Sequence, residues 1–224
     1  CLAAVAVFLF PTSQADAEGV IKLKKGERVV WIGGTFAERE QYFGHIEAQV
    51  QQAHPDLNVT MRNQGFTGDE VRFRPRSLDF GEPDKHLTLA RADVILACFG
   101  FSESFDGPDG IKTFEQELRD FVAHTAKQNY SGKGKPRLVL LSPIAHENLH
   151  SPNLPDGSKT NPNLELYAKS MGKIAAETKT PFANLFKLSL QLYEEQRVSA
   201  EKTPFTFNGV HMTDSGYERF APHF

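Results

Sequence analysis

Four short stretches of this 224-residue chain set glycine beside groups able to do chemistry: Gly33-Gly34-Thr35, Gly65 through Asp69, Gly100 through Ser104, and Asn208-Gly209-Val210-His211. Together they contain the ingredients of acyl transfer. An imidazole takes the proton of an attacking hydroxyl, and fixed donors stabilise the oxyanion that develops on the acyl group. Each stretch also has a plainer reading. Thr35 can cap a helix, Gly68 can serve backbone geometry alone, Ser102 and Asn208 can hold turns, and His211 can be a satisfied core or surface histidine.

Positioning these groups on one pocket requires a parallel sheet. Arg28 to Ile32 is a short apolar run ending in two glycines and Thr35, followed by a helix-like segment from Ala37 to about Gln52. That order places Thr35 at the carboxyl edge of a sheet, where helix-terminal N–H groups favour negative charge and open α/β sheets bind ligands. Leu57 to Met61 reads as a second strand leading into Gly65–Asp69. Residues 70 to 90, with Arg72, Arg74 and Arg76, read as irregular or one short helix. Ala92 to Phe99 is continuous and apolar, as in a strand covered on both faces, and it ends at Gly100–Ser104. Helices are expected over about Ile111–Asn129, Pro162–Thr178, and after Leu185 to about Val198. Strands are expected at Arg137–Leu141 and Phe182–Leu185, and a last helix near Asp214 or Ser215, cut short at Phe224. The alternation predicts a three-layer α/β/α sandwich around a parallel sheet of about five strands. All four stretches then fall on one sheet edge.

The net charge of −3 and the scattered lysines and arginines argue against a nucleic-acid partner. The 18 phenylalanines, against one tryptophan, predict a Phe-rich core. Cys98 lies in an apolar strand and reads as a buried small hydrophobe. The loop from about 144 to 162 carries His146, Glu147 and His150. Their spacing is loosely ligand-like, but no Cys or Asp cluster completes a metal set. No metal and no cofactor are expected.

From residue 28 to about 220 the chain resembles the SGNH (GDSL-like) hydrolases. Gly33-Gly34-Thr35 stands where that family has Gly-Asp-Ser, and Thr67-Gly68-Asp69 matches its Ser/Thr-Gly-Asp block. Gly100-Phe101-Ser102-Glu103 stands at its Gly-x-Asn-Asp block, and Asn208-Gly209-Val210-His211 at its Asp-x-x-His. The resemblance implies hydrolysis of an ester, such as a carbohydrate O-acetyl group, by Thr35, His211 and Asn208, with Gly68, Ser102 and the Thr35 N–H as oxyanion donors. Gly34, Asp69 and Glu103 flank these positions as auxiliary candidates, and Glu38, Asp69 or Glu103 could stand in for a missing carboxylate. Three of the five motif positions are substituted: Thr for Ser, Ser for Asn and Asn for Asp. Asn can fix a histidine tautomer, but it cannot supply the charge that stabilises an imidazolium. The same substitutions suit a catalytically idle module that binds a glycan or acyl ligand within a larger exported protein.

Residues 1 to 17 carry an apolar run, Leu2–Phe10, too short to span a bilayer, then a small-x-small site at Ala15-Asp16-Ala17. They read as a secretory signal peptide lacking its first residues. Export to a periplasm or the exterior is the expectation, with residues 18 to 224 as one domain and no membrane span in the mature chain.

Overall fold

The parallel sheet sets everything else. A computed structural model describes residues 21–75, 80–199 and 203–224. The proposed signal segment, residues 1–17, lies outside them, as does Arg76. Strands β1 (Arg28–Gly33), β2 (Thr60–Asn63), β3 (Val94–Cys98), β4 (Arg137–Leu141) and β5 (Phe182–Ala183) form a five-stranded sheet in the order β2-β1-β3-β4-β5. Every pairing is parallel. Seven α-helices join them among the described residues: α1 (Thr35–Phe43), α2 (His45–Ala53), α3 (Pro83–Ala90), α4 (Gly107–Thr125), α5 (Asn161–Thr178), α6 (Leu185–Val198) and α7 (Asp214–Phe220).

Alternation along the strands divides the apolar side chains between two cores. Val29, Trp31, Met61, Leu96, Cys98, Val139 and Leu141 face one layer, where Phe36, Ile46, Leu192 and Phe220 bring in α1, α2, α6 and α7. Val30, Ile32, Ile95, Ala97, Leu138 and Leu140 face the other, built from Leu87 of α3, Leu118 of α4 and Tyr167 and Met171 of α5. All five residues of β3 are buried, which is why that strand reads as unbroken apolar sequence. This is the three-layer α/β/α sandwich.

Several boundaries differ from the sequence reading; the fifth strand is only Phe182–Ala183, and α4 ends at Thr125 rather than Asn129. The helix expected over Ala37–Gln52 is two helices, because Gly44 takes a left-handed conformation (φ 70°) that ends α1 and starts α2. The second strand starts at Thr60 rather than Leu57. Pro55–Leu57 form a 3₁₀ turn, and the left-handed Asn58 (φ 48°) redirects the chain before pairing begins. The helix expected from Ile111 begins at Gly107, where Pro108 sits in the first turn and lacks the N–H that would go unsatisfied there. No helix among the described residues is long and apolar enough to cross a membrane.

Candidate active site

Gly33 makes the turn that presents Thr35. Its φ is +109°, and a Cβ there would lie 2.0 Å from the Cys98 carbonyl oxygen, so only glycine lets β1 close against β3 at this point. The Gly34 N–H then donates to that carbonyl at 3.0 Å, which spends the Gly34 donor on structure. Thr35 follows as the first residue of α1, where its own N–H has no intrahelical acceptor. Its side chain is largely buried, yet its hydroxyl faces an exposed neighbour: Thr35 Oγ1 lies 3.5 Å from Thr67 Oγ1.

The loop after β2 wraps around this turn. Phe66 N–H donates to Gly33 O at 2.8 Å, and Asp69 N–H returns to Phe66 O at 2.9 Å. Gly68 sits between them at φ +86°, and its N–H has no acceptor among the described residues, so it can serve an incoming oxygen. The Ser102 hydroxyl likewise makes no hydrogen bond among the described residues. The two auxiliary carboxylates are engaged elsewhere. Glu103 accepts from Val71 N–H and Gly100 N–H, each at 2.9 Å, and so stitches the loop after β2 to the loop after β3. Burial pushes its carboxyl up to about 7, against the pull of those N–H groups. Asp69 is buried, with an oxygen 3.7 Å from Arg74 Nε.

His211 lies on the C-terminal segment, which meets α1 where Arg39 bonds Met212 O. Asn208 Oδ1 takes three contacts: 3.3 Å from Val210 N, 3.0 Å from His211 N and 3.0 Å from His211 Nδ1. A carbonyl oxygen only accepts, so Nδ1 carries the proton and Nε2 presents its lone pair. Nε2 has no hydrogen bond among the described residues, and Thr35 is bonded to Thr67 rather than to this nitrogen. The ring stacks on Phe207 at 5.4 Å.

Two residues hold this loop: Arg39, which the sequence reading passed over, and Glu147, which it weighed only as a metal ligand. Arg39, one turn after Thr35, donates from Nε to Met212 O at 3.0 Å and lays its guanidinium over Phe207 at 5.1 Å. Its place four residues along α1 from Thr35 put it on the same helix face, a signal present in the sequence. Glu147 accepts from Phe205 N–H (3.1 Å), Thr206 N–H (2.7 Å) and the Thr206 hydroxyl (2.6 Å). The neighbouring His146 occupies Thr160 Oγ1 at 3.0 Å and Pro155 O at 3.2 Å. A Cβ on Gly209 would strike the His146 ring at 2.2 Å, so the loop before His211 is moulded on residues 146 and 147. The 144–162 loop is therefore scaffold for the imidazole. No cluster of three metal-ligating side chains exists among the described residues.

Phenylalanine is split between core and rim. Phe66, Phe73 and Phe80 between β2 and α3, Phe105 in the 3₁₀ turn after β3, Phe207 before α7 and Phe224 after it are exposed. They lie outside the periodic segments, where an apolar pattern could have assigned them to the core.

Burial, then the positive charge of Arg39, holds the His211 pKa below its ordinary value, and the Glu38 carboxylate opposes them. A depressed pKa keeps the imidazole neutral, the form a base needs, to lower pH. Removing the guanidinium raises that pKa. In Arg39→Gln the acid limb of turnover against pH is thus expected to move to higher pH, while Arg39→Lys leaves it in place. An unmoved limb in Arg39→Gln would show that His211 does not govern it.

No family model and no curated protein matches the sequence. Solved structures do match. BT4096, a gut microbial diltiazem-metabolizing enzyme, superposes with a TM-score of 0.69 at 15% identity over 90% of this chain. The chain spans only 46% of BT4096. Axe2, an acetylxylan esterase from Geobacillus stearothermophilus, superposes with a TM-score of 0.66 at 16% identity, covering 90% of this chain and 94% of Axe2. Catalytic mutants of Axe2 replace a serine, an aspartate and a histidine by alanine, the last two three positions apart. At such identities the likeness is one of fold alone, the architecture this chain shares with BT4096 and Axe2.

Proposed function

We propose that this protein is an ester hydrolase in which Thr35 is the nucleophile, His211 the base and Asn208 the residue that orients it. One observation carries the reading: Asn208 Oδ1 lies 3.0 Å from His211 Nδ1, which fixes the ring and leaves Nε2 without a hydrogen bond among the described residues. Asn208 and His211 have the three-residue separation of the Axe2 aspartate and histidine. Gly68 N–H, Thr35 N–H and the Ser102 hydroxyl serve as oxyanion donors. A small O-acetyl ester on a carbohydrate is the proposed substrate, by analogy with the acetylxylan esterase, and export through residues 1–17 belongs to the same reading. Release of p-nitrophenol from p-nitrophenyl acetate by the purified protein tests it. Absence of turnover, or turnover untouched by Thr35→Ala, would end it.

The site also makes a gain-of-function prediction. Asn208 uses only its oxygen towards His211, so aspartate can take the same position and add the missing charge. The reverse change in a serine protease triad lowers kcat by about 10⁴-fold. Asn208→Asp is therefore expected to raise kcat by roughly tenfold or more, with little change in melting temperature. A fall in kcat would show that the asparagine is not a weakened aspartate.

A second reading is a binding module, favoured by the Thr35 hydroxyl facing Thr67 instead of the imidazole. Acetylated oligosaccharides that raise the melting temperature without being consumed would select it.

A further inference from the structure

Three carboxylates stood as replacements for the aspartate this site lacks, and the structure separates them. Glu103 is committed to two backbone N–H groups, and Asp69 is buried beside Arg74. Glu38 connects to the nucleophile through Thr67. It lies on α1 one turn beyond Thr35, and its Oε2 accepts from the Thr67 N–H at 2.8 Å and from the Thr67 hydroxyl. The direction of the hydroxyl bonds follows from counting protons. An ionised carboxylate only accepts, so the single proton of the Thr67 hydroxyl points to Glu38. Thr67 Oγ1 then has only lone pairs to offer Thr35, and the 3.5 Å contact between the two threonines is one that Thr35 must donate.

We propose that Thr67 and Glu38 form the relay that takes the Thr35 proton during acylation, and that His211 serves the second half of the reaction. This rests on Thr35 being the nucleophile. As Thr35 Oγ1 bonds to the acyl carbon, its O–H bond breaks and the proton passes to Thr67 Oγ1. The Thr67 proton passes to Glu38, which becomes neutral while the acyl oxygen becomes the anion. When the tetrahedral species collapses, the bond from the acyl carbon to the departing oxygen breaks, the Thr67 hydroxyl gives that oxygen its proton, and Glu38 returns its own proton to Thr67 and is again a carboxylate. Water then attacks the acyl-Thr35 ester. His211 Nε2 takes the proton of that water, and the resulting imidazolium returns one to Thr35 Oγ1. The relay also offsets the stiffness of threonine: a bond from Oγ1 to a fixed partner holds the χ1 rotamer that a β-branched nucleophile must already occupy.

The proposal divides acylation from deacylation, so the experiment reads them separately. Full-length His211→Ala is mixed with p-nitrophenyl acetate, p-nitrophenol release is followed from the first turnover, and peptide mass spectrometry locates any acetyl group. The expected result is a burst near one equivalent, acetyl on Thr35, and then a stall. Adding Thr67→Val or Glu38→Gln to His211→Ala should slow the burst by about 10²-fold, the scale of a lost proton acceptor, and Thr67→Ser should restore it. Glutamine at 38 still accepts the Thr67 N–H, so the loop keeps its anchor, and melting temperatures check this. An unacetylated His211→Ala protein, or a burst of unchanged rate in both relay variants, overturns the relay but leaves Thr35-dependent turnover by the native protein standing. A native protein that turns over no ester overturns the hydrolase reading itself.

Discussion

Thr35→Ala is expected to lower p-nitrophenyl acetate turnover by at least about 10³-fold, and His211→Ala by a similar factor. The double variant should be no slower than the slower single, because residues that act in sequence on one bond lose their value together. The fold should hardly notice either change. The Thr35 hydroxyl makes one long contact, at 3.5 Å, and the His211 side chain makes one hydrogen bond, to Asn208. Melting temperatures near that of the native protein are the control that makes the rates interpretable. Thr35→Ser should keep or increase activity, since serine has the same hydroxyl without the γ-methyl that restricts χ1. Steady-state rates for the five proteins decide it. Equal rates for the native protein and Thr35→Ala would remove the nucleophile from the mechanism, and a slow Thr35→Ser would mean that the methyl itself is required.

The sheet was legible because its signals are local. Val94–Cys98 is buried on both faces and reads as continuous apolar sequence, and Gly33 and Gly68 mark the ends of β1 and the loop after β2. The left-handed break at Gly44 was not legible, since Phe43, Ile46 and Val50 keep roughly helical spacing across it. At the site, residue types at strand ends pointed to Thr35, Gly68, Ser102, Asn208 and His211; the structure sets Thr35, Gly68 and Ser102 on the segments that follow β1, β2 and β3, and pairs Asn208 with His211. What sequence could not give is engagement. Glu38, Asp69 and Glu103 are equivalent as letters, yet one touches the Thr67 hydroxyl, one lies beside Arg74 and one binds two backbone N–H groups. Thr67 itself was read as motif, and its hydroxyl acquires meaning only through its neighbours. Likewise Glu147 and His146 looked like loose ligands because both are ligand types, three and four residues from His150. Their partners are a backbone turn and a threonine on other elements, which spacing along the chain does not encode.

Glu147→Ala is the scaffold change with the largest expected effect. This buried carboxylate binds three donors, Phe205 N–H, Thr206 N–H and the Thr206 hydroxyl, and its own N–H donates to Gly209 O at 2.8 Å. The Thr206 hydroxyl oxygen then accepts from Gly209 N–H at 3.0 Å, so the chain from Phe205 to Gly209, which ends two residues before the imidazole, is built around the Glu147 side chain. Alanine leaves the buried donors without an acceptor, and each buried orphan costs about 1–3 kcal/mol. The sum expected from chemical denaturation is a loss of roughly 3–5 kcal/mol, the scale for breaking a buried charged cluster. The effect on turnover should exceed the effect on stability at temperatures where the variant is still folded. Asn208 and His211 hang from this loop, and a shift of an ångström there can cost about 10²-fold in rate. Thr206→Val separates the two consequences: it deletes the hydroxyl that links Glu147 to Gly209, keeps the volume and both backbone bonds, and should lower kcat more than it lowers the melting temperature. Native kcat in a folded Glu147→Ala protein would mean that His211 finds its place without this scaffold, and that residues 144–162 have no part in the chemistry.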